Sequence, residues 1–207
     1  MNYSLAKKFT FGSLMMFALP TTIMMIFTSL YTIIDGVFVS RFVGTNALSS
    51  INIVYPAINI VLGIAVMFST GSCAIVAKKM GEGKAEEARA AFTSIIYLNI
   101  IVGAVTAVLG NLFAAPIVRL LGASDLLMSD CITYMRWQMA FAPALMLQIL
   151  FQMYFVTEGR PGIGLFLTVA AGITNAVLDY ILIVPMGMGI AGAAIATVTG
   201  YMIPALF

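Results

Sequence analysis

Three ionisable side chains interrupt long apolar stretches of this sequence, and chemistry is expected where they lie. Asp35 falls in a run that is almost continuously apolar from residue 9 to residue 39, and Arg136 and Asp179 have similar surroundings. A charge inside a lipid bilayer costs free energy, so such residues are retained mainly where they bind or move ions or substrates. Asn175 precedes Asp179 by four positions, which places both side chains on one face of a helix.

Four oxygen-bearing side chains form the candidate cation site: Asp35, Asn175, Asp179 and Thr197. With a rise of about 1.5 Å per residue, they lie ~9, ~16, ~10 and ~13 Å from the nearest outer break. Their oxygens are hard ligands that suit a cation such as Na⁺. Two neighbouring carboxylates in a low-dielectric site cannot both ionise cheaply, so the group is equally a proton site. The coupling ion, H⁺ or Na⁺, therefore stays open.

Each of these residues also has a structural interpretation. A lone aspartate near a helix end can be capped or partly solvated, and Asn175 and Thr197 are residue types that bond membrane helices to one another. Arg136, beside Trp137, is expected to extend its guanidinium to the membrane interface rather than to pair with an aspartate. The functional interpretation rests on the similar depths of the four candidate ligands in the membrane, not on any one of them.

The composition identifies the elements that must position these residues. The chain has 207 residues, of which 62% are hydrophobic and 9% are charged, and its mean hydropathy is +1.07. Soluble domains carry roughly a quarter charged residues, so this is an integral membrane protein. The net charge of +2 gives no reason to expect a nucleic-acid partner. Histidine is absent, the two cysteines cannot form a zinc cluster alone, and no nucleophile–base pair occurs, so we expect neither an enzyme nor a cofactor.

Polar breaks divide the chain into six apolar runs long enough to span a bilayer, which takes about 20 residues. Lipid-embedded backbone must pair its own polar groups, so the runs are predicted to be helices. They cover residues 10–39, 47–76, 91–112, 128–156, 163–184 and 190–207. Residues 78–90, the only strongly charged segment, are predicted to be an aqueous loop, with Glu86 and Glu87 at the start of the third helix. Prolines inside the runs should bend their helices: Pro20, Pro56 and Pro143.

The distribution of basic residues predicts the orientation. With a cytoplasmic N-terminus, the inner segments hold seven Lys and Arg residues and the outer segments hold two, Arg41 and Arg119. The inner residues are Lys7, Lys8, Lys78, Lys79, Lys84, Arg89 and Arg160. This bias favours a multi-pass protein of the cell membrane, in a bacterium the inner membrane, with its N-terminus in the cytoplasm.

Three segments in the correct order resemble the multidrug and toxic compound extrusion (MATE) transporters. "LYTIIDGVFVSRFVGTNALSSINIVYP" is similar to the helix 1–2 region of that family, and "AKKMGEGKAEEARAAF" to its first charged loop. "GRPGIGLFLTVAAGITNAVLDYILIVPMGMGIAGAAIATV" resembles its helix 5–6 region. The resemblance implies an all-α fold of twelve helices in two six-helix lobes, of which residues 1–207 would form the N-terminal lobe without the second.

The resemblance also implies a function: antiport, in which organic cations and other amphiphiles are exported by alternating access in exchange for H⁺ or Na⁺. Asp35 matches the family's helix 1 aspartate, Asn175 and Asp179 match its helix 5 pair, and Thr197 matches a helix 6 threonine. Tyr134 matches a cavity-facing tyrosine of the DinF-like branch, and Pro20 the proline at which helix 1 bends there. Gln148 and Gln152 are polar companions expected to face the same substrate cavity.

The chain is about half as long as the twelve-helix transporters it resembles, which suggests a fragment. The second lobe would then belong to the same gene product or, less favourably, be supplied by a second copy of this chain. Two alternatives remain. One is a lipid-linked saccharide flippase of the wider superfamily, which would need cations in its cavity, and the other is a structural membrane subunit.

Overall fold

A computed structural model describes residues 11–206, except for the side chains at positions 13, 14, 16, 17 and 20. The described chain contains eight α-helices, and a π-helical turn, Val39–Val43, follows the first of them. They are α1 (Phe11–Phe38), α2 (Thr45–Gly81), α3 (Ala85–Leu112), α4 (Ala114–Leu120), α5 (Met128–Ala140), α6 (Ala142–Thr157), α7 (Pro161–Ile183) and α8 (Gly189–Leu206).

The helices are long and apolar enough for the predicted membrane bundle. Five of them can cross a bilayer by length and composition, and a sixth span results if α5 and α6 form one bent crossing. The buried core lies between α2, α5, α6 and α8, with Val54, Met135, Met146 and Ala193 fully or almost fully enclosed. An all-α membrane bundle is therefore confirmed, with five spans, or six if the α5–α6 pair crosses as one.

The predicted fourth span, 128–156, is broken into α5 and α6, which meet at an angle of 54°. Phe141, between them, has left the helical region, with φ −101° and ψ 18°. Pro143 lacks an amide hydrogen and so cannot continue α5, but it is well tolerated in the first turn of α6. Gly103 of α3 packs directly against this bend, since a Cβ there would lie 2.6 Å from the Cα of Pro143.

The prediction that residues 78–90 form a loop is wrong. Helix α2 continues to Gly81 and α3 begins at Ala85, so only residues 82–84 form the turn, in which Gly83 has φ +76°. Hydropathy locates the edge of the bilayer, but a helix can extend into water where its charges are solvated and paired. Lys79 and Glu87 form such a pair across the turn, at 2.8 Å. Glu86 and Glu87 do lie in the first turn of α3, as predicted.

Two other predicted breaks are also largely helical. Residues 40–46 contain most of the π-helical turn and the start of α2, and residues 115–125 contain most of α4. Pro56 lies within an uninterrupted α2. Pro20 lies within α1, but its side chain is outside the described part, so the bend at Pro20 stays a prediction. Lys7, Lys8 and Phe207 are outside the described residues.

Candidate functional site

Helices α1 and α7 run side by side in the same direction, and this arrangement builds the site. The sulfur of Met24 lies 3.7 Å from the Cβ position of Gly164, and the ring of Tyr31 lies 3.3 Å from that of Gly172. These pairs are separated by almost the same number of residues, as parallel neighbours should be. Glycines on α7 let the two helices approach closely, and one turn beyond Tyr31 this brings Asp35 to α7.

The carboxyl groups of Asp35 and Asp179 are neighbours, close enough for one to donate a hydrogen bond to the other if it carries a proton. Asp179 is fully buried and Asp35 is half-buried. The Oδ1 atom of Asp35 and both carboxyl oxygens of Asp179 are buried without a donor from any described residue. Two ionised carboxylates can only accept hydrogen bonds, so the chemistry of this pair suits a shared proton or a cation.

Asn175 lies one turn from Asp179 on the same face of α7. It is 3% exposed, and its Oδ1 atom also has no donor among the described residues. Helix α8 closes over it, because the Cβ position of Gly200 is 3.7 Å from the Cβ of Asn175. Asp35, Asn175 and Asp179 thus contribute four unpaired oxygens from two helices, a donor set that fits a hard cation as well as a proton.

Thr197 lies on α8, the helix that covers Asn175, but its hydroxyl has other partners. Its hydroxyl donates to the carbonyl oxygen of Ala193 at 2.9 Å and lies beside the hydroxyl of Tyr134. Tyr134 is almost completely buried and also neighbours the side chain of Gln138. The structure therefore brings three of the four predicted cation ligands together and places Thr197 next to Tyr134.

Four tyrosines lie near Asp35, and only one of them, Tyr134, is predicted from the sequence. Tyr31, Tyr55, Tyr134 and Tyr201 all lie close enough to interact electrostatically with its carboxyl group. Two of them had a detectable signal: Tyr31 is one turn before Asp35 and Tyr201 one turn after Thr197. Tyr55, on α2, has no such spacing and could be found only in three dimensions.

Gln148 and Gln152 are not part of this cluster. Gln152 donates from Nε2 to the hydroxyl of Thr168 at 3.0 Å and lines a cavity of about 660 Å³ between α1, α2 and α6. This cavity reaches along α1 from Thr21 to Ser29, on the side of Asp35 nearer the N-terminus. Gln148 is buried in α6, and its Oε1 atom has no partner among the described residues.

Arg136 lies apart from the carboxylates. It is exposed on α5 and lines a smaller cavity of about 330 Å³ together with Asn111, Thr133, Trp137 and Ala140. Among the described residues, no acidic side chain pairs with it; the four ion pairs are formed by Lys79, Lys84, Arg89 and Arg119.

The fold and site define a multi-pass helical membrane protein with a carboxylate pair enclosed between its helices. The MatE family model matches residues 20–181 of the chain. The chain therefore belongs to the MatE family, whose members are membrane transporters rather than enzymes.

Among curated relatives, the multidrug export protein MepA of Staphylococcus aureus (strain bovine RF122 / ET3-1) is 24% identical over 205 residues, covering 99% of this chain and 46% of MepA. The FAD transporter of Shewanella oneidensis is 28% identical over 177 residues, covering 84% of this chain and 39% of that protein. The chain thus spans less than half the length of these relatives.

Solved structures agree with the fold. A MOP superfamily transporter from Pyrococcus furiosus, described as having a binding pocket of reverse polarity, matches with a TM-score of 0.86 and 25% identity, over 92% of this chain and 42% of that one. A MATE transporter in its straight conformation matches with a TM-score of 0.85 and 25% identity over the same shares. The match to less than half of each agrees with a chain that corresponds to one lobe.

Proposed function

We propose that this chain is the N-terminal lobe of a cation-coupled antiporter that exports amphiphilic or cationic small molecules by alternating access. The observation that carries the proposal is the Asp35–Asp179 pair, with Asn175 beside it, enclosed between α1 and α7 without hydrogen-bond donors. A pair of this kind changes its interaction energy by several kcal/mol, to order of magnitude, when a proton or Na⁺ neutralises it.

The pair links cation binding to helix position because its two members lie on different helices. With a cation bound, Asp35 and Asp179 attract the same charge and hold α1 against α7. Without one, their repulsion favours separation of the two helices. A substrate that binds better to the separated arrangement would then exchange for the cation, which is the differential affinity that coupling requires. Bending of α1 at Pro20 is one route for this movement.

The cavity between α1, α2 and α6 suits an amphiphilic substrate. None of the residues that line it is charged; methionines 24, 25 and 153 supply a polarisable surface, and threonine hydroxyls supply a few polar contacts. Its volume falls within the usual range for small-molecule sites. In a complete transporter a second lobe, from the same gene product or from a second copy, would close the other side of the pathway.

The proposal is tested by efflux of a fluorescent organic cation from a host that lacks its own exporters and expresses the full gene product. Asp35→Asn and Asp179→Asn should each abolish efflux while membrane expression is retained. Asp125→Asn is the matched control, because Asp125 is exposed and pairs only with Arg119 at 2.9 Å. Wild-type efflux in both site variants would rule the proposal out.

The FAD transporter from Shewanella is the reason to consider an anionic flavin nucleotide as a second substrate class. Flavin released into the medium, measured in the same host, separates the two possibilities. The uncharged cavity favours the cationic or neutral substrate. The position of Arg136 on the outer surface of α5 also argues against a lipid-linked saccharide flippase, whose cavity would have to hold pyrophosphate. A structural subunit would transport nothing in either assay.

A further inference from the structure

Arg136 is a cation on a lateral surface that is otherwise apolar. Asn111 of α3 lines the same cavity as Arg136, and Val108 and Leu112, one turn before and one residue after Asn111 on that helix, are 65% and 69% exposed. Because α2, α3 and α5 belong to the membrane-spanning bundle, a surface of this composition faces lipid. An unpaired guanidinium there is costly unless it reaches an anion.

The level of Arg136 along the bundle is near the interface. Gly110 of α3 packs against Met139 of α5, so Arg136, almost one turn closer to the start of α5, is level with the end of α3 at Leu112. A long arginine side chain at this level reaches the headgroup region while its methylene groups stay among the apolar side chains.

No acidic residue in the described part of the chain neutralises Arg136. Asp125, in the nearest turn, is already paired with Arg119. Asp130, on the same helix, is six residues earlier and therefore projects from a different face. The counter-charge at Arg136 is therefore free to come from an anion outside the chain.

The cavity around Arg136 offers further groups that suit a phosphate. The hydroxyl of Thr133 forms no hydrogen bond with a described residue, whereas Thr106 and Thr197 donate to carbonyls of their own helices. Asn111 donates one amide N–H to the carbonyl oxygen of Ala107 at 2.9 Å and keeps a second N–H for a ligand. Trp137, stacked on Phe141 with ring centroids 6.2 Å apart, forms an aromatic wall of the kind found at membrane interfaces.

We propose that Arg136, Thr133, Asn111 and Trp137 form a binding site for the phosphate headgroup of an anionic phospholipid in the leaflet on the α4 side of the membrane. The guanidinium binds the phosphate oxygens through two N–H groups, and the acyl chains lie along the exposed apolar face of α3. This site is separate from the carboxylate pair and does not depend on the transport function.

Trp137 is the only tryptophan in the chain, so it reports on this site directly. The chain is reconstituted in phosphatidylcholine vesicles, and the quenching of its fluorescence by brominated phosphatidylglycerol is compared with quenching by brominated phosphatidylcholine. We expect the apparent binding constant to be about fivefold larger for phosphatidylglycerol, the factor that corresponds to one cation at an anionic lipid surface. Arg136→Gln should reduce this ratio to about one, and Thr133→Val should lower it partially.

Arg119→Gln is the matched control. Arg119 is an exposed arginine on the same side of the membrane, but it is already paired with Asp125. The substitution should leave the ratio unchanged. Equal quenching by the two lipids in the wild type, or an unchanged preference in Arg136→Gln, would overturn the proposal. Release of quenching by millimolar inorganic phosphate would also overturn it, since the site would then bind free phosphate rather than lipid.

Discussion

The two sides of the bundle both bury polar groups, but only one side buries charge. Between α1 and α7, Asp35 and Asp179 lie together with no donor, and Asn175 leaves a further oxygen unpaired. Between α2, α3 and α6, the buried polar residues are neutral: Asn99 donates to the carbonyl of its own Ile95 at 2.9 Å and leaves only Oδ1 unpaired. A neutral group without a partner costs about 1–3 kcal/mol. A buried charge costs considerably more, so under the proposed function the α1–α7 side binds a proton or cation, whereas the α2–α3–α6 side can be a static scaffold.

The packing of the two sides differs in the same sense. A Cβ at Gly103 would lie 2.6 Å from the Cα of Pro143, whereas a Cβ at Gly172 would lie 3.3 Å from the nearest atom of Tyr31, in its ring. Backbone at a helix bend cannot yield, but a tyrosine ring can shift by a few tenths of an ångström. The scaffold side is therefore built to resist movement, and the α1–α7 side to tolerate it.

The largest effect is expected from Gly103→Ala, compared with Gly172→Ala. Both replace a glycine inside a helix and gain the same local propensity, about 0.5–1 kcal/mol. Gly103→Ala should nevertheless lose about 1–3 kcal/mol or more through overpacking, and Gly172→Ala should stay within about 1 kcal/mol of the wild type. Thermal unfolding in detergent measures both. Equal losses would show that the two sides do not differ in rigidity.

A smaller effect distinguishes two buried tyrosines. Tyr154 packs against Phe92 in a tilted arrangement with ring centroids 4.4 Å apart. Its hydroxyl lies near Ser72 without forming a hydrogen bond of good geometry to a described residue, so Tyr154→Phe should keep stability within about 1 kcal/mol and leave efflux unchanged. Tyr134→Phe removes a hydroxyl that lies beside Thr197 and near Asp35. It should lower efflux several-fold with little change in stability. The reverse pattern would place function on the scaffold side.

The smallest effect is expected at the charged turn between α2 and α3. Lys79 and Glu87 pair at 2.8 Å, but their side chains are 31% and 56% exposed. Water and salt screen such pairs, so Glu87→Gln should cost about 0.5 kcal/mol and leave efflux intact. A loss above about 2 kcal/mol, measured by the same unfolding assay, would mean that the turn contributes to the fold more than its exposure allows.

Much of the site could be predicted because membrane chemistry makes charge conspicuous. Asp35, Asn175 and Asp179 stood out as costly polar residues at similar depth, and the structure brings them together. Helix ends were predicted less well, because hydropathy identifies only where the lipid ends. Helix α2 extends beyond that point to Gly81, and α3 already begins at Ala85.

Contacts between distant residues account for the rest. The approach of Tyr55 to Asp35 depends on where the fold places α2 relative to α1, which no local spacing encodes. Pro143 was recognised as a site of bending, but the complete break at Phe141 also depends on Gly103, forty residues away, allowing α3 to pack into the bend. The direction that α6 takes after this break also decides where its glutamines lie. Gln152 faces the cavity between α1, α2 and α6, and Gln148 does not.

The central claim, that the Asp35–Asp179 pair requires a cation, is tested most directly by thermal unfolding of the chain as Na⁺ and pH are varied. A ligand at 100 times its dissociation constant stabilises the folded state by about 2.7 kcal/mol, or roughly 5–10 °C for a chain of this size. The wild type should gain stability as Na⁺ is added or as pH falls, because a shared proton removes the repulsion, and should lose it again as pH rises. The Na⁺ response should vanish in Asp35→Asn and Asp179→Asn, and the pH response should become smaller there because one buried carboxyl remains without its partner. Both responses should persist unchanged in Asp125→Asn. An identical response in all four proteins would contradict the account.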